Sequence, residues 1–356
     1  MATLIMPCGG RSSRFPNSRP KWSLTHPNGN LMLIESIQGL NLTKYEQIIF
    51  VFIKEDLKKN QLKKGITKAV EKLDVKFRIV ELSERTFSQS ETVSKAIKKL
   101  NIKGSILVKD CDGYFEGKFT DENFVYVSSL RRIKNINAGS KSYVDIDTNA
   151  FIKTIVEKDV ISNLFCCGGY GFVDAQKFVK TYEKLYKLSD KKSELYISHI
   201  IYQQILDGEQ FTIKKVKNFK DWGTMKDWNR YKNQYKTLFL DLDGVMVENS
   251  GEYIGKIWGS TKALEKNKDF INKLYDSKKV RIIFTTARKS EYKQQTLNQL
   301  KKLGIKYHEI IFDLMHAQRI VINDFSSTNS FPSAKGINIP RNSDNLEEYM
   351  SENFDV

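Results

Sequence analysis

Long apolar runs and regularly spaced cysteines are both absent from this 356-residue sequence. No apolar run approaches the ~20 residues that a transmembrane helix needs, so we expect no membrane insertion. The N-terminus has no basic segment followed by an apolar stretch, and we expect no secretory signal. The spacing of the four cysteines suits neither a zinc site nor a disulfide framework. We therefore expect a cytoplasmic protein in a reducing compartment.

Blocks of basic residues are also lacking, although the net charge is +16, from 58 Lys+Arg against 42 Asp+Glu. The lysines are scattered through amphipathic segments such as 56–73 and 289–303. They form no helix-turn-helix, zinc-finger or RNA-motif signature, so we predict no nucleic-acid partner. Solvated helix faces account for most of the charge, and an anionic small substrate is a second reason for it.

The composition is that of an ordinary globular protein, with 40% hydrophobic and 28% charged residues. The length exceeds one compact core and predicts two domains, 1–235 and 236–356. Strand and helix signals alternate in the first, with strands at 4–6, 47–53, 76–82, 104–109, 124–128, 144–147, 151–156, 166–173 and 211–216, and helices at 33–39, 56–73, 91–100, 175–186 and 195–206. This order predicts an α/β fold with a mainly parallel sheet. Ligands in such sheets bind outside the carboxyl ends of the strands.

The stretch from Ile5 to Lys21, IMPCGGRSSRFPNSRPK, joins an apolar strand to a Gly-containing loop whose basic residues include Arg11, Arg14 and Lys21. Such a loop can bring backbone N–H groups against an anion. Arginine forks and a lysine point charge suit several phosphate oxygens, which indicates a polyphosphate. Solvated cations on an ordinary turn are the alternative from this stretch alone. The candidate ligands are Gly9, Gly10, Arg11, Ser12, Ser13, Arg14 and Lys21.

Two carboxylates, Asp110 and Asp112, stand just past the buried strand predicted at 104–109. They lie on the same side of the predicted sheet as the Gly-Arg loop. Hard oxygen ligands near a triphosphate suggest Mg²⁺, which takes one or two carboxylates plus substrate phosphates. A plain turn is the alternative, because Asp-Cys-Asp-Gly is good turn chemistry.

Six patches in order across residues 1–235 resemble the sugar-phosphate nucleotidyltransferases, pyrophosphorylase-like enzymes with a GT-A-like, Rossmann-like mixed sheet. These patches are MPCGGRSSRF…RPK, SQSETV at 88–93, Asp112, Glu157-Lys158, GYGF at 169–172 and DWGT at 221–224. The sequence departs from the pattern at Ser12, where many relatives have glycine. Cys8 and Gly9 also replace the commoner small pair.

The resemblance implies a reaction in which a nucleotidyl group passes to a sugar or polyol phosphate and pyrophosphate leaves. It implies CTP as the nucleotide, by similarity to capsular cytidylyltransferases of surface-polysaccharide synthesis. Asp112 and Asp221 would hold Mg²⁺, Lys158 would meet the acceptor phosphate, and Arg14 and Lys21 would neutralise charge. The remaining substrate contacts implied are Gln89, Ser90, Glu91, Asp110, Glu157 and Tyr170.

A second signature, Asp241-Leu242-Asp243-Gly244, follows the apolar run TLFL at 237–240. It resembles the first motif of the haloacid-dehalogenase-like (HAD-like) phosphohydrolases. The first aspartate of such a pair can be a nucleophile that becomes an aspartyl-phosphate. The second can protonate the leaving oxygen and then activate water. A calcium loop is excluded, since the later loop carboxylates are missing.

The downstream order fits the same resemblance. A strand predicted at 280–286 ends at Thr286, whose hydroxyl would bind the transferred phosphate. A strand predicted at 319–323 ends at Asp324, which resembles the last metal ligand. Three strand ends would then converge on one Mg²⁺ held by Asp241, Asp243 and Asp324. Only 246–262 is available for a cap, so a small capless HAD-like α/β domain is predicted.

The lysine motif of that second family is missing, and His316-Ala317-Gln318-Arg319 occupies its place. Arg319 is one candidate replacement, and Lys301 or Lys302 are others. A bifunctional enzyme is the favoured interpretation. A nucleotidyltransferase whose second domain is degenerate, with a structural or scaffold role, is the alternative. The sequence leaves open the acceptor and whether the chain forms a homo-oligomer.

Overall fold

A computed structural model describes residues 2–16, 18–59, 61–132, 137–189, 194–253, 255, 257–324 and 333–353. The chain divides into two compact units, Met1–Trp228 and Asn229–Val356. The domain boundary predicted from the sequence falls a few residues later, after 235. Within the described residues, no helix combines the length and apolar character needed to cross a membrane.

The first unit alternates strands and helices along most of its length. Its strands are β1 (Ala2–Pro7), β2 (Tyr45–Ile53), β3 (Phe77–Leu82), β4 (Ile106–Lys109), β5 (Gly113–Glu116), β6 (Phe124–Ser129), β7 (Ser142–Ile146), β8 (Ile152–Glu157), β9 (Leu164–Phe172), β10 (Thr212–Lys215) and β11 (Lys217–Asp221). Its helices are α1 (Met32–Glu35), α2 (Lys54–Lys59), α3 (Leu62–Glu71), α4 (Gln89–Leu100), α5 (Ala175–Leu188) and α6 (Ile197–Leu206), and α7 (Met225–Lys232) contains the boundary.

Nine of the described strands form one mixed sheet, and seven of them follow the order β10-β6-β9-β4-β1-β2-β3. The run from β4 through β1 and β2 to β3 is parallel. β9 runs antiparallel to both β4 and β6, which ends the parallel run. β7 and β8 form an antiparallel hairpin beside β9. The predicted α/β fold with a mixed sheet is therefore confirmed for this unit.

Both faces of the sheet are covered, which explains why β2 reads as an unbroken apolar run. Successive side chains of a strand point to opposite faces. Ile49 and Val51 therefore pack in the cluster that includes residues of α4, α5 and α6. Phe50 and Phe52 pack in the cluster that includes residues of α1, α2 and α3. Burial on both faces holds β1 and β4 at the centre, where their carboxyl ends meet.

Three elements differ in extent from their predictions. The helix predicted over 56–73 is instead two helices, α2 and α3, because Gln61 adopts a left-handed φ of 50° before α3. The helix predicted at 33–39 is only the four-residue α1. The strand predicted at 211–216 is β10, and the chain continues into β11, which pairs antiparallel with β5.

The second unit contains a three-stranded parallel sheet in the order β12-β13-β14. Its elements are β12 (Lys236–Asp241), α8 (Glu265–Asp276), β13 (Val280–Thr285), α9 (Lys293–Leu303), β14 (Glu309–Ile311) and α10 (Leu346–Asn353). Leu242, Phe270, Ile282 and Leu300 are among the buried residues of its own hydrophobic core. β12 ends at Asp241, opposite Thr285 at the end of β13.

The strand predicted at 319–323 is wrong. These residues have no regular secondary structure, and Ile320, Val321 and Ile322 are exposed. β13 already has β12 on one side and the short β14, which the sequence did not predict, on the other. An apolar run becomes a strand only where a neighbour accepts its backbone hydrogen bonds. The run at 319–323 has no such pairing among the described strands.

Candidate active site

A cavity of about 690 Å³ opens in the first unit at the edge where the carboxyl ends of β1 and β4 lie side by side. Gly9 does not line it, because a Cβ there would instead approach Thr92 Oγ1 at 3.2 Å and Thr86 Oγ1 at 3.3 Å. The other residues predicted from the first loop do line it: Gly10, Arg11, Ser12, Ser13, Arg14 and Lys21.

Ser12 closes this loop on itself. Its φ is 51°, in the left-handed region that favours glycine. Its Oγ accepts a hydrogen bond from the backbone N–H of Lys21 at 3.2 Å. The serine therefore keeps the backbone form that glycine would take and adds a tie between the two ends of the loop.

Asp112 is neutralised by two cations of this loop. Lys21 Nζ lies 2.6 Å from Asp112 Oδ2, and Arg14 Nη2 lies 4.0 Å from the same oxygen. Burial alone would raise the pKa of Asp112, but Lys21 and then Arg14 outweigh it and hold that pKa well below its usual range. Burial lowers the pKa of Lys21, but Asp112 outweighs that effect and raises it overall. Both groups are therefore charged at neutral pH.

Asp110 has the opposite electrostatic environment. Burial and the neighbouring Asp112 charge raise the pKa of Asp110 to about 6. Its carboxylate accepts a hydrogen bond from the Gln89 side chain. Its other side is covered by Gly168 of β9, at a φ of 76°, where a Cβ would collide with the carboxylate. Asp110 and Gln89 both line the cavity, as predicted for substrate contacts.

Lys109, which was not predicted as a site residue, stabilises the turn that carries Asp110 and Asp112. Its side chain is fully buried, and Nζ donates to Asp110 O at 2.7 Å and Gly113 O at 2.8 Å. Nζ also lies 4.7 Å from the Phe115 ring centroid. Burial lowers the pKa of Lys109 from its ordinary value. One buried ammonium thus joins both ends of the turn.

Asp221 reaches the same cavity through the pairing of β11 with β5. Asp221 lies opposite Gly113, and Trp222 N donates to Asp112 O at 2.9 Å. A Cβ at Gly223 would lie 3.1 Å from Asp221 Oδ1 and 3.8 Å from Asp112 Oδ2. The two predicted metal ligands are therefore adjacent.

This pair of carboxylates fits Mg²⁺, which prefers oxygen ligands and commonly binds one or two carboxylates plus substrate phosphates. In the described parts of the chain, no group of three or more His, Cys, Asp or Glu side chains could hold a metal ion. Asp112 and Asp221 would therefore need phosphate oxygens and water to complete the coordination. Lys141, a residue not predicted from the sequence, pairs with Asp221 Oδ2 at 2.6 Å.

The turn predicted to contact the base forms the start of α4. Ser88 caps the helix, because its side chain accepts from Glu91 N at 3.2 Å. The Glu91 carboxylate accepts from Phe87 N at 2.8 Å, one residue before the cap, and so ties the preceding chain to the helix start. Ser90 is buried and donates to Leu195 O. Ser88 and Gln89 line the cavity, whereas Ser90 and Glu91 hold the helix start in place behind it.

Glu157 and Lys158 also line the cavity, at the open end of the β7–β8 hairpin. Glu157 accepts hydrogen bonds from Ser142 Oγ and, at 2.8 Å, from Ser198 Oγ. Lys158 donates to the Tyr196 hydroxyl, and this bond is the largest cause of the raised pKa of Lys158.

The predicted Tyr170 of β9 is buried and contributes to the cavity lining. Tyr196 extends the Lys158 contact, because its hydroxyl donates to Glu194 at 2.6 Å. Ser142, Ser198 and Tyr196 were not predicted as site residues. Their positions could have indicated them, because Ser142 pairs with Glu157 across the hairpin. Tyr196 and Ser198 lie at the start of α6.

In the second unit, Asp243 is held by Arg288. Arg288 Nε donates to Asp243 Oδ2 at 2.9 Å and Nη2 to Oδ1 at 2.8 Å, and the arginine is fully buried. Ser250 Oγ donates to Asp243 Oδ1 at 2.6 Å, and Thr286 Oγ1 lies 3.4 Å from Oδ2. Arg288 Nη1 also donates to Gln299 at 2.8 Å. Arg288 was not predicted as a site residue.

Asp241 ends β12 and is half-buried. Burial raises the pKa of Asp241, although Arg319 opposes this effect. Arg319 Nη2 donates to Asp241 Oδ1 at 3.1 Å, so the arginine proposed to replace the missing lysine does contact the predicted nucleophile.

The predicted convergence of three strand ends on one Mg²⁺ is wrong for the described residues. Asp324 follows the exposed irregular segment at 319–323, not a strand. No group of three metal-ligating side chains forms among the described residues, so Asp241, Asp243 and Asp324 are not gathered. Of the three strand ends predicted to converge, those of β12 and β13 meet, because they are paired strands.

No protein-family model matches the chain, and no curated protein matches it either. Many solved structures match its fold, and these include sugar-nucleotide pyrophosphorylases. A nucleoside-diphosphate-sugar pyrophosphorylase from Vibrio cholerae matches over 64% of this chain and 98% of its own, with 20% identity and a TM-score of 0.54. A Bacillus anthracis protein assigned as a glucose-1-phosphate thymidylyltransferase, in complex with sucrose, matches over 65% and 93%, at 18% identity and a TM-score of 0.52.

A UDP-glucose pyrophosphorylase complexed with UDP-glucose matches over 65% of this chain and 97% of its own, at 14% identity and a TM-score of 0.50. At such identities the likeness shows the fold alone. The predicted nucleotidyltransferase-type fold is thus confirmed over about two thirds of the chain. The HAD-like fold of the second unit stays a prediction.

Proposed function

We propose that the first unit transfers a nucleotidyl group from a nucleoside triphosphate to a sugar or polyol phosphate and releases pyrophosphate. The observation that carries this proposal is the adjacency of Asp112 and Asp221 in one cavity, where Arg14 and Lys21 contact Asp112 and Lys158 is a further cation of the lining. Two phosphorylated substrates need two cationic sides with a shared metal position between them. The confirmed fold supports the same reaction class.

In this reaction an oxygen of the acceptor phosphate forms a bond to the α-phosphorus, and the bond from that phosphorus to the bridging oxygen breaks. Pyrophosphate leaves with the electron pair, so no nucleophilic side chain is required. Mg²⁺ bound at Asp112 and Asp221 would draw negative charge from the phosphate oxygens. Arg14 and Lys21 would stabilise charge on the triphosphate, while Lys158 would orient the acceptor. Loop N–H groups would bind the phosphates.

CTP is the proposed nucleotide, and surface-polysaccharide synthesis the proposed role. Both rest on the sequence resemblance of the loop and the 88–93 turn to capsular cytidylyltransferases. Gln89 and Asp110 supply an amide and a carboxyl group on the cavity wall, and these are the groups that read a base edge by hydrogen bonds.

A pyrophosphate-release screen of the four nucleoside triphosphates against a panel of sugar and polyol phosphates tests this function. We expect release with at least one pair, highest with CTP, and loss of that release in Asp112→Asn. Lys153→Met is a matched control, because Lys153 is an exposed residue of the same unit that pairs with Asp145. Silence of the wild-type protein with every pair would contradict the proposal.

For the second unit we propose hydrolysis of a phosphate monoester. Asp241 would attack phosphorus and release the ester oxygen, and water would then cleave the aspartyl-phosphate. Arg319 and Thr286 would bind the phosphate oxygens, and the contact of Arg319 with Asp241 and the position of Thr286 after the paired strand support these roles. Asp243 would give a proton to the leaving oxygen.

A degenerate second unit with a structural role is the second candidate, and one observation favours it. Both oxygens of Asp243 accept hydrogen bonds from the buried Arg288. A carboxylate held bidentately by a guanidinium is poorly suited to carry a transferable proton. Hydrolysis of a panel of phosphate monoesters distinguishes the candidates: activity that Asp241→Asn abolishes supports the hydrolase, and its absence in wild type supports the degenerate unit.

A further inference from the structure

Two lysines are backbone neighbours at the open end of the β7–β8 hairpin. Ser142 pairs with Glu157 at the last position of the ladder, and one position further out Lys158 N donates to Lys141 O at 2.9 Å. Both lysines line the cavity. Two positive charges on neighbouring residues repel each other, so they need compensating negative charge.

The compensation comes from two separate acidic groups. Lys141 Nζ pairs with Asp221 Oδ2 at 2.6 Å, and both side chains are largely buried, with 16% and 17% exposure. Lys158 Nζ donates to the Tyr196 hydroxyl, which donates to Glu194 at 2.6 Å. Each lysine thus interacts with its own acidic group, and the two lysines do not share one.

The position of Lys141 links the two halves of the cavity. Its side chain contacts Asp221, one of the two candidate metal ligands, and its charge also lowers the pKa of Asp112. Its backbone contacts Lys158 on the acceptor side. A lysine ammonium has three N–H donors, and Asp221 accounts for one of them among the described contacts. Further donors can therefore meet an anion without breaking the ion pair.

We propose that Lys141 and Lys158 together bind the phosphate of the acceptor. A phosphate monoester carries nearly two negative charges at neutral pH, which matches two lysines better than one. Lys158 holds the phosphate from the outer side, while Lys141 turns one oxygen toward the nucleotide bound beside Asp221. Lys141 is then a further substrate-binding residue. This inference rests on the proposed nucleotidyl transfer and names a determinant of its second substrate.

The test measures binding of inorganic phosphate to the full-length protein by calorimetry in the presence of Mg²⁺. We expect Lys141→Met to weaken phosphate binding about tenfold, the usual consequence of losing one charge-assisted hydrogen bond. Lys141→Arg should retain most of the affinity, because the positive donor is kept. The matched control is Lys153→Met on β8, whose exposed lysine pairs with Asp145 at 3.1 Å, and its affinity should equal that of wild type.

A double-mutant cycle with Lys158→Met separates a shared site from two independent ones. If both lysines hold one phosphate, the double variant should lose less affinity than the product of the two single losses. Unchanged phosphate binding in Lys141→Met would overturn the inference and leave Lys141 as a neutraliser of Asp221. Independent losses would overturn it as well, since the lysines would then act at different anions.

Kinetics distinguishes failure of this inference from failure of the proposed function. If wild type releases pyrophosphate, Lys141→Met should raise the KM for the acceptor about tenfold while the KM for the nucleotide stays constant. Pyrophosphate release with an unchanged acceptor KM would contradict the role of Lys141 alone. Coupled phosphate binding in a protein that releases no pyrophosphate would contradict the nucleotidyl transfer and support the two-lysine phosphate site.

Discussion

Lys109 is the lysine that the described part of the chain encloses completely, with 0% exposure. Its ammonium satisfies two carbonyl oxygens, Asp110 O and Gly113 O, at 2.7 and 2.8 Å. Replacement by methionine keeps the length of the side chain and removes all its N–H donors. We predict that Lys109→Met lowers the free energy of unfolding by about 1–3 kcal/mol, because both carbonyls lose a charged donor. Thermal unfolding by circular dichroism measures it, at roughly 2–4 °C per kcal/mol.

Lys99→Met is the control for Lys109→Met. Lys99 also donates to a backbone carbonyl, Glu81 O at 2.8 Å, but it is exposed and water can replace it. The melting temperature of Lys99→Met should remain close to that of wild type. Equal melting temperatures for the two variants would show that burial of the Lys109 bonds contributes nothing.

Asp110 predicts a pH dependence of stability. Its pKa in the folded protein is about 6, against an ordinary value of 3.8, so the folded state binds the proton more tightly than the unfolded chain does. The stability that this proton contributes is complete below pH 3.8 and is lost as the pH rises through about 6. Asp110→Asn carries no charge and lacks this dependence.

Urea denaturation between pH 4 and pH 7 in EDTA measures this difference. We expect the unfolding free energy of wild type to fall relative to that of Asp110→Asn as the pH rises. Only the wild-type carboxyl must lose its proton in a buried place. Asp159→Asn, at an exposed position, is the control and should follow wild type. If the difference in unfolding free energy between wild type and Asp110→Asn is the same at every pH, the raised pKa of Asp110 is contradicted.

At the scale of elements, β9 depends on a glycine. Gly168 has a φ of 76°, and a Cβ there would collide with the Asp110 carboxylate. Gly208 has a φ of 92°, but a Cβ added there would have no atom within 4 Å, so a substitution at Gly208 measures the cost of backbone strain alone. We predict that Gly208→Ala costs about 1 kcal/mol and that Gly168→Ala costs more, because the carboxylate must move as well. Urea denaturation of both variants measures the difference, and equal costs would contradict it.

The elements of the first unit could be predicted because each carries its own signal. β2 and β4 are apolar runs and α4 has a helical period with a capping serine, and these features depend on local sequence. The break in the helix predicted over 56–73 depends on the backbone form of Gln61, which no periodicity reveals. The run at 319–323 failed because apolar composition cannot tell a strand from an unpaired segment.

The site divides in the same way. Arg14, Lys21 and Asp112 could be named from the Gly-Arg loop and the strand end that carry them, and Asp221 from the family resemblance of the segment at 221–224. Lys141 could not, because its role depends on the register of β7 against β8 and on a contact across 80 residues of chain with Asp221. Lys109 was missed for another reason, since a lysine ending an apolar strand looks like its solvated end.

At the scale of the whole molecule, the two candidate sites lie in separate units. We predict that Asp112→Asn abolishes pyrophosphate release and leaves hydrolysis of phosphate monoesters intact, whereas Asp241→Asn does the reverse. Each aspartate lies in a different unit, and each unit has its own hydrophobic core, so neither substitution should disturb the other unit's core. Parallel assays of both activities on both variants measure this. Loss of both activities in one variant would contradict independent sites.

The pairing of β5 with β11 also has a consequence for biosynthesis. It joins Asp112 to Asp221, so the two carboxylates meet only after nearly all of the first unit has left the ribosome. Chains are made from the N-terminus, and a unit folds as it becomes complete. A nascent chain that has emerged only through β9 therefore carries the loop of Arg14 and Lys21, and Asp112, without Asp221. Asp112 and Asp221 can therefore come together in the cavity only while the second unit is being translated.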